Sequence, residues 1–406
     1  MSKILITGNG FDLFHGLPTK YGHFMAVMKT IEKYDFGKEI RFEDLFGSHF
    51  KTQFDKEYDL ILKNYNTENI VFDKARIKVL EDKLKSNNWY CYFRTALEIE
   101  TWIDFENEIN IALSEISEII YSERNTYFEA FQECQKHSLL FFFNLFDKTK
   151  ASESRINKSY SILEKGKTGL YKKEKINGKK LFEDLSKSLD DFIIIFNRYF
   201  VDVIEEFYKN IKVSHSIPLE QIDLIYTFNY TPTIEKIYKL VKPKVNYLHG
   251  KIDASDLKQN LVLGVEDISN ELKTHKIYSF TKSYQKIKKD ANCEFIEFPS
   301  ANKSAPSETI FYIIGHSLDS SDKEYIEDVF KFLELDLTEA SQIVVFYHND
   351  DDFDSKLKNL YSIIEKRVIV HMNKCKRLRF VELTINNIKS EMNKKLYNRY
   401  AEYDIR

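Results

Sequence analysis

A glycine-rich turn near the start of the chain has the composition of a phosphate-binding loop. The segment GNGFD, residues 8–12, directly follows the apolar stretch 3–7. When a strand leads through such glycines into a helix, backbone N–H groups can approach a pyrophosphate closely, and the positive end of the helix favours the anion. An ordinary tight turn is the alternative, because Leu13 stands where the dinucleotide fingerprint has its third glycine.

Gly16 and Pro18 add a second corner to this turn. The sequence from residue 8 to residue 18 reads GNGFDLFHGLP, and Pro18 restricts its own backbone and that of Leu17. A rigid corner of this kind would hold the loop against a ligand. The alternative is a helix start that the proline fixes, with no role in binding.

A second polar group, TFNYT at 227–231, follows a predicted strand at 223–227. Open α/β sheets bind ligands at the carboxyl ends of their strands. Asn229 offers a donor and an acceptor without a charge, which suits the holding of a ribose hydroxyl or a water molecule, and Thr227 would line the same site. An asparagine in a turn before Pro232 is the alternative.

His249 and Gly250 follow a predicted strand at 245–248. Histidine titrates near neutral pH and can therefore act as a general base. The chain contains 10 histidines, so this one can equally be a structural residue whose hydrogen bonds are satisfied.

A third strand-end turn carries Gly315, His316 and Ser317, after a predicted strand at 309–314. Its backbone and its serine hydroxyl could hold another part of the same ligand, or it could form an ordinary turn of an α/β unit. His348, at the end of a further predicted strand, is a weaker candidate, and we do not expect it to be catalytic.

The elements that must position these residues are short apolar strands that alternate with amphipathic helices. Such strands indicate a parallel sheet covered on both faces, as in α/β folds of the Rossmann type. The predicted strands are 3–7, 223–227, 245–248, 261–265, 309–314, 342–347 and 379–383.

The middle of the chain has a different composition. No proline occurs between Pro18 and Pro218, and no glycine occurs between Gly47 and Gly166. Because these residues interrupt helices and strands, their scarcity predicts long helices in this stretch.

We expect helices at 98–117 and 192–208 and a solvated, lysine-rich loop at 165–180. The segment around Trp102 and Ile103 is interpreted as a helix face. The predicted domains are an α/β nucleotide-binding domain, residues 1–25 and 215–406, interrupted by a large, mostly helical insertion, residues 26–214.

Composition excludes several classes of protein. With 406 residues, 43% of them hydrophobic and a net charge of −3, the chain can bury a core but has no overall attraction for nucleic acid or anionic lipid. No two of the four cysteines have CxxC spacing, so we expect free thiols in a reducing cytoplasm; these are Cys91, Cys134, Cys293 and Cys375. No exported or membrane-embedded segment is expected.

Taken together, the motifs resemble the sirtuin-like NAD-binding fold. They follow the sirtuin order, with GxGxxxxxGxP at 8–18, TxN at 227–229, HG at 249–250 and GxSL at 315–318. The segments GNGFDLFHGLPTKY, TFNYT, LHG and GHSLDSSD are also similar to the AbiH family of bacterial abortive-infection proteins, which act against phage.

Two departures from the sirtuins bear on activity. The four cysteines cannot form the zinc module of the sirtuin deacylases. Thr231 also stands where sirtuins have an aspartate, two residues after the motif asparagine, so any contact of that carboxylate is lost or supplied from elsewhere, with Asp12 and Asp267 as candidates. The resemblance therefore implies hydrolysis of NAD, as in sirtuin-like effectors of phage defence, and not deacylation.

The resemblance also implies roles for individual residues. Asn229 would position the ribose or a water molecule, and His249 would act as the general base. The nicotinamide ring of NAD is already cationic, so it need not be protonated before it leaves, and no metal is required. The remaining NAD contacts are expected from Gly8, Asn9, Gly10, Phe11, Asp12, Gly16, Pro18, Thr227, Gly250, Gly315, His316 and Ser317.

Two other functions remain open. The same pocket could hold NAD or an ADP-ribose derivative as a sensor without cleaving it. A nucleic-acid-cleaving effector is the second alternative, for which Asp104 and Glu108 could contribute carboxylates from one helix. The expected partner is NAD or a related nucleotide; a homo-oligomer and a phage-derived trigger are left open, and nucleic acid and membrane are not expected.

Overall fold

The computed structural model of the chain contains two compact units. The first comprises Met1–His15, Val213–Leu248 and Glu294–Arg406, and the second comprises Gly16–Lys212 and His249–Cys293. The structure describes residues 2–34, 39–99, 104–121, 145, 157–165, 172–213, 217–240, 243–291, 294–296, 308–336 and 339–394. Predictions that concern Trp102, Ile103, Cys134 and Cys293 lie outside the described residues.

Ten strands occur among the described residues, and six of them form one sheet. In chain order they are β1 (Ser2–Thr7), β2 (Ile40–Arg41), β3 (Val71–Phe72), β4 (Ser161–Lys165), β5 (Lys172–Ile176), β6 (Leu224–Thr227), β7 (Val245–Tyr247), β8 (Thr309–Ile314), β9 (Gln342–Tyr347) and β10 (Leu378–Glu382). The sheet of the first unit has the order β10-β9-β8-β1-β6-β7, and its neighbouring strands are all parallel. The predicted α/β fold with a parallel sheet is confirmed.

Both faces of this sheet are buried, which explains why its strands are continuously apolar. Alternate residues point to opposite faces, so Ile4 and Ile6 contribute to one core cluster and Leu5 to the other. Ile326 and Leu360 cover the first face. Helices covering the second face contribute further side chains, among them Ile234, Ile388 and Met392.

The register of the central strands places their carboxyl ends together. Thr7, the last residue of β1, pairs with Thr227 of β6 on one side and with Ile314 of β8 on the other. The three turns that follow these strands therefore begin at the same level of the sheet.

Helices connect and cover the strands of the first unit. Among the described residues they are Asn9–Phe14, Thr233–Tyr238, Lys323–Leu335, Asp350–Ile363, Lys366–Lys374 and Ile385–Asn393, with single 3₁₀ turns at Leu219–Gln221 and Ser320–Asp322. Caps fix several of their starts; the side chain of Asn349, for example, accepts a hydrogen bond from the amide of Asp352 (2.9 Å).

The second unit is mostly helical and has an aromatic core. Its described helices are Tyr21–Ile31, Phe42–Phe46, His49–Gln53, Asp55–Asn64, Lys74–Ser86, Asn88–Ile99, Phe105–Tyr121, Gly178–Tyr199, Glu205–Lys209, Asn270–Thr274 and Lys282–Lys288, with 3₁₀ turns at Thr67–Asn69 and Lys158–Tyr160. Phe93 stacks on Phe105 with ring centroids 4.5 Å apart, and Phe24 packs against Phe196 at 5.1 Å.

The predicted helices are found in part. The one predicted at 192–208 runs through a π-helical turn, Phe200–Ile204. The one predicted at 98–117 falls on the end of Asn88–Ile99 and the start of Phe105–Tyr121, and residues 100–103 between them lie outside the described part. No helix among the described residues is both long and apolar enough to cross a bilayer.

Two local predictions are wrong. The segment 261–265 is not a strand, because its backbone bonds to loops and a side chain: Gln285 accepts from the amide of Leu263 (3.1 Å) and donates to its carbonyl (2.9 Å). The predicted loop at 165–180 instead contains β5, which pairs antiparallel with β4, and the start of Gly178–Tyr199.

Candidate functional site

The turns that follow β1 and β8 pack backbone against backbone. The amide of Gly8 donates to the carbonyl of Ile314 (3.1 Å), and that of Gly10 donates to the carbonyl of Gly315 (2.8 Å). A Cβ atom on Gly10 would lie 2.7 Å from the Cα of Gly315, and one on Gly315 would lie 2.1 Å from the amide nitrogen of Phe11. Gly315 also has a φ of +70°, which favours glycine.

These contacts give the glycines a structural reason of their own. No larger residue permits this approach of the two turns. Two of the amides required by the phosphate-loop interpretation, those of Gly8 and Gly10, already bond within the protein. Phosphate binding by this turn therefore stays a prediction.

A buried cluster of polar side chains joins the turns after β1 and β6. Asp12 is 1% exposed. Thr231 donates its hydroxyl to Oδ2 of Asp12, and Thr233 donates to Oδ1 over 2.6 Å. The two hydroxyl oxygens are 3.2 Å apart, and the side chain of Asn229 is close enough to the carboxylate to lower its pKa. Asp12 is thus brought next to the bend that carries Asn229, and their membership of one binding site stays a prediction.

Burial dominates the titration of this carboxyl group. It raises the pKa of Asp12 from 3.8 to about 6, although the hydrogen bonds from Thr231, Thr233 and Asn229 lower it. Carboxylates with pKa values displaced in this way are concentrated at functional sites. Asp12 consequently changes its charge close to neutral pH.

Thr227 fixes the backbone on which Asn229 stands. Its hydroxyl oxygen accepts from the hydroxyl of Thr7 (2.9 Å) and from the backbone amide of Asn229 (3.1 Å). Thr227 and Asn229 are 2% and 7% exposed. The bend after β6 is therefore rigid, and it belongs to the same polar group as the end of β1.

The turn after β8 holds His316 through both of its ring nitrogens. Nδ1 accepts from the amide of Leu318 (2.9 Å), so Nε2 carries the proton and bonds to Asp322 at 3.2 Å. The ring packs against Phe228 with centroids 4.3 Å apart. Only its ring surface remains to meet a ligand, whereas Ser317 is exposed.

Four other predicted site residues belong to the second unit: Gly16, Pro18, His249 and Gly250. His249 is 5% exposed, and its backbone carbonyl accepts from the amide of Val262 (2.9 Å). Gly250 has a φ of +82°, and a Cβ atom there would lie 2.0 Å from the carbonyl oxygen of Asn260. His249 therefore stands in a tightly built turn, which the structure describes within the second unit.

The predicted second corner of the loop also lies in that unit. Gly16 has a φ of +75°, and a Cβ atom there would lie 2.8 Å from the Nδ2 of Asn64. The carbonyl of Pro18 accepts from the hydroxyl of Tyr199 (2.6 Å). Both residues are therefore built into the packing of the second unit.

A carboxylate does lie beside Thr231, and it is that of Asp12. Asp267, the other candidate, belongs to the second unit, where it forms an ion pair with Lys273 (2.5 Å) and its side chain is 67% exposed. The sequence motifs do not mark Thr231 and Thr233 as partners of Asp12. Their only signal in the sequence is the pair of hydroxyl residues on either side of Pro232.

The acidic residues considered for a nuclease have structural contacts. Asp104 accepts from the amide of Glu106 (2.9 Å) and so caps the helix Phe105–Tyr121, and Glu108 accepts from the hydroxyl of Tyr92 (3.1 Å). Within the described ranges, no group of three or more histidine, cysteine, aspartate or glutamate side chains could hold a metal ion.

Comparisons with known proteins give one match. The model of a protein family described as "Bacteriophage abortive infection AbiH" matches residues 4–348. No curated protein matches the chain, and no solved structure matches it.

Proposed function

The chain belongs to the AbiH family of bacteriophage abortive infection proteins, and we propose that it serves phage defence as a NAD glycohydrolase, which hydrolyses NAD at the nicotinamide glycosidic bond. The sirtuin-like character of its α/β domain and the helical insertion at 26–214 are parts of this proposal. NAD is the substrate, and no metal takes part.

One observation carries the proposal. At the carboxyl edge of a parallel sheet, the turn after β1 and the turn after β6 meet in a polar cluster that includes Asp12 and Asn229. Open α/β sheets bind nucleotides at this edge. The cluster holds a neutral carboxamide on a rigid bend, which suits a group that must position a ribose or a water molecule.

In the proposed reaction a water oxygen forms a bond to the anomeric carbon of the nicotinamide ribose. The carbon–nitrogen bond breaks, and its electron pair returns to the pyridine ring, which leaves as neutral nicotinamide. Asn229 positions the ribose or the water, and His249 accepts the proton that the water loses. The protein gains rate mainly by orientation and by general-base catalysis.

The other contacts follow the motif order. The turn after β1, including Asn9 and Phe11, and the corner formed by Gly16 and Pro18 would hold the phosphates and the ribose. The turn at Gly315–Ser317 would hold the adenosine side. Because Gly8 and Gly10 already donate to carbonyl groups, the pyrophosphate would contact other groups of the loop.

Release of nicotinamide from NAD by the purified protein tests the proposal. We expect His249→Ala to lower turnover by about 10²- to 10⁴-fold, the usual contribution of a general base, with little change in NAD affinity. His348→Ala is the matched control, because His348 is exposed and has no assigned role. Equal rates in the wild type and His249→Ala would remove His249 from the reaction.

A sensor is the second candidate, and Thr231 favours it, because sirtuins have an aspartate at that position. A sensor would bind NAD or ADP-ribose and release no nicotinamide. Plasmid and RNA substrates in parallel reactions test the nuclease alternative. Each assay needs a sample with phage lysate added, since a phage-derived trigger or assembly into a homo-oligomer is part of the proposed activation.

A further inference from the structure

We propose that Asp12 is a positioning residue that fixes the orientation of the Asn229 carboxamide. The inference rests on the proposed function, because Asn229 is the group that orients the ribose or the water. It assigns to Asp12 a role different from direct contact with NAD.

Hydroxyl groups of two threonines fix the carboxylate of Asp12. Its Oδ1 accepts from Thr233 over 2.6 Å, and its Oδ2 accepts from Thr231. Both threonines follow β6, whereas Asp12 lies in the helix after β1. Because each carboxylate oxygen accepts a hydrogen bond from a threonine hydroxyl, the plane of the carboxylate is fixed relative to the bend that carries Asn229.

The side chain of Asn229 lowers the pKa of Asp12 and so favours its ionised form. An ionised carboxylate can only accept hydrogen bonds, so in this proposal the amide NH₂ group of Asn229 faces Asp12. The carbonyl oxygen of Asn229 is then directed away from Asp12. It is therefore the atom presented to a ribose hydroxyl or a water molecule.

The groups around Asp12 are mostly uncharged hydrogen-bond donors. The partners of Asp12 are two hydroxyls and an amide, and burial raises its pKa to about 6. Among nearby titratable groups, Tyr247 interacts electrostatically with Asp12 and donates its hydroxyl to Glu235 (2.6 Å). His15, directly after the helix that carries Asp12, bonds to the carbonyl of Phe11 and the hydroxyl of Tyr238, both at 2.7 Å.

Protonation of Asp12 removes an acceptor that the cluster needs. The neutral acid must donate from one oxygen, and it competes with the three donors that now point at it. The carboxamide of Asn229 then loses its fixed orientation. Hydrolysis should therefore require ionised Asp12 in addition to neutral His249.

The kinetic test is the pH dependence of kcat for NAD in three variants. In the wild type, the limiting slope of log kcat in acid should be steeper by one than in Asp12→Asn, because Asp12 must lose a proton. Asp12→Asn keeps the shape of the side chain but cannot titrate. Asp12→Ala should lower kcat on the order of 10²-fold through misplacement of Asn229, with KM changed less than about threefold.

A charge swap separates positioning from mere packing. The double variant Asp12→Thr with Thr231→Asp places the carboxylate on the other partner of the same hydrogen bond. It should recover kcat to within about tenfold of the wild type. Equal kcat in Asp12→Ala and the wild type, or no recovery in the swap, would contradict the positioning role.

A spectroscopic readout works whether or not NAD is hydrolysed. With ¹⁵N-asparagine labelling, the side-chain amide signal of Asn229, assigned by its loss in Asn229→Ala, should move with a midpoint near pH 6 in the wild type. It should not titrate there in Asp12→Asn. Absence of nicotinamide release would count against the proposed function alone. An Asn229 amide signal in the wild type that does not move with pH would overturn the positioning role of Asp12.

Discussion

The contact between Gly10 and Gly315 and the cluster around Asp12 are neighbours in the first unit, but they are built in opposite ways. The first excludes every side chain, because a Cβ atom on either glycine would meet backbone within 2.7 Å. The second buries four polar side chains and leaves a carboxyl group that titrates near neutral pH.

The glycine motif and the titratable carboxyl group therefore belong to two different structural features. The glycines, which make the turn recognisable in the sequence, are explained by the packing of two turns. The polar cluster has no fingerprint of its own, yet it contains the group with the displaced pKa. We therefore expect substitutions at the glycines to lower the free energy of unfolding. Substitutions in the polar cluster should instead change how stability depends on pH.

The largest effect is expected from Gly315→Ala. A methyl group would overlap the amide nitrogen of Phe11, and the positive φ of residue 315 disfavours alanine. Overpacking and backbone strain together should cost about 4 kcal/mol of unfolding free energy. Chemical denaturation measures it, with the exposed Ser317→Ala as control. Wild-type stability in Gly315→Ala would show that the two turns do not need this contact.

The next effect concerns the pH dependence of stability. The native pKa of Asp12 lies above the unfolded value, near 6 against 3.8, so the native state holds the proton more tightly. Stability from this group is therefore fully present below pH 3.8 and is lost as the pH rises through about 6. The full loss amounts to about 3 kcal/mol.

Asp12→Asn removes this pH-dependent contribution to the free energy of unfolding. From pH 4 to pH 7.5 the variant should gain about 2 kcal/mol relative to the wild type, measured by denaturation at both values. Parallel stability curves for the two proteins would mean that Asp12 titrates normally in the native state.

A smaller effect is expected from Thr233→Val. The substitution removes the donor to Oδ1 of Asp12, and a hydrogen bond to a charged group contributes about 2 kcal/mol. The loss should be present at pH 8, where Asp12 is ionised, and smaller at pH 4. A double-mutant cycle with Asp12→Asn measures the coupling, and additive effects at pH 8 would contradict the contact.

The sheet could be predicted from the sequence because its strands are buried on both faces. The apolar runs at 309–314 and 342–347 coincide with β8 and β9. The segment at 261–265 was equally apolar but is not a strand, since the side chain of Gln285 takes hydrogen bonds that a strand partner would make. A local pattern records burial and does not reveal which group bonds to the backbone.

Individual residues of the candidate site could be predicted from the sequence, but the contacts between them could not. Asn229 and Asp12 were both expected to belong to it, because each follows a strand of the sheet. Their bridging through Thr231 and Thr233 joins positions more than 200 residues apart in the chain, so nothing near Asp12 in the sequence indicates it. The engagement of the Gly8 and Gly10 amides by the turn after β8 was hidden for the same reason.

A crystal structure of the protein with bound ADP-ribose would show where the ligand lies. We expect the ribose that carried nicotinamide to lie against the carbonyl oxygen of Asn229, with the phosphates along the turn after β1. ADP-ribose bound elsewhere, or bound with its ribose remote from Asn229, would contradict it.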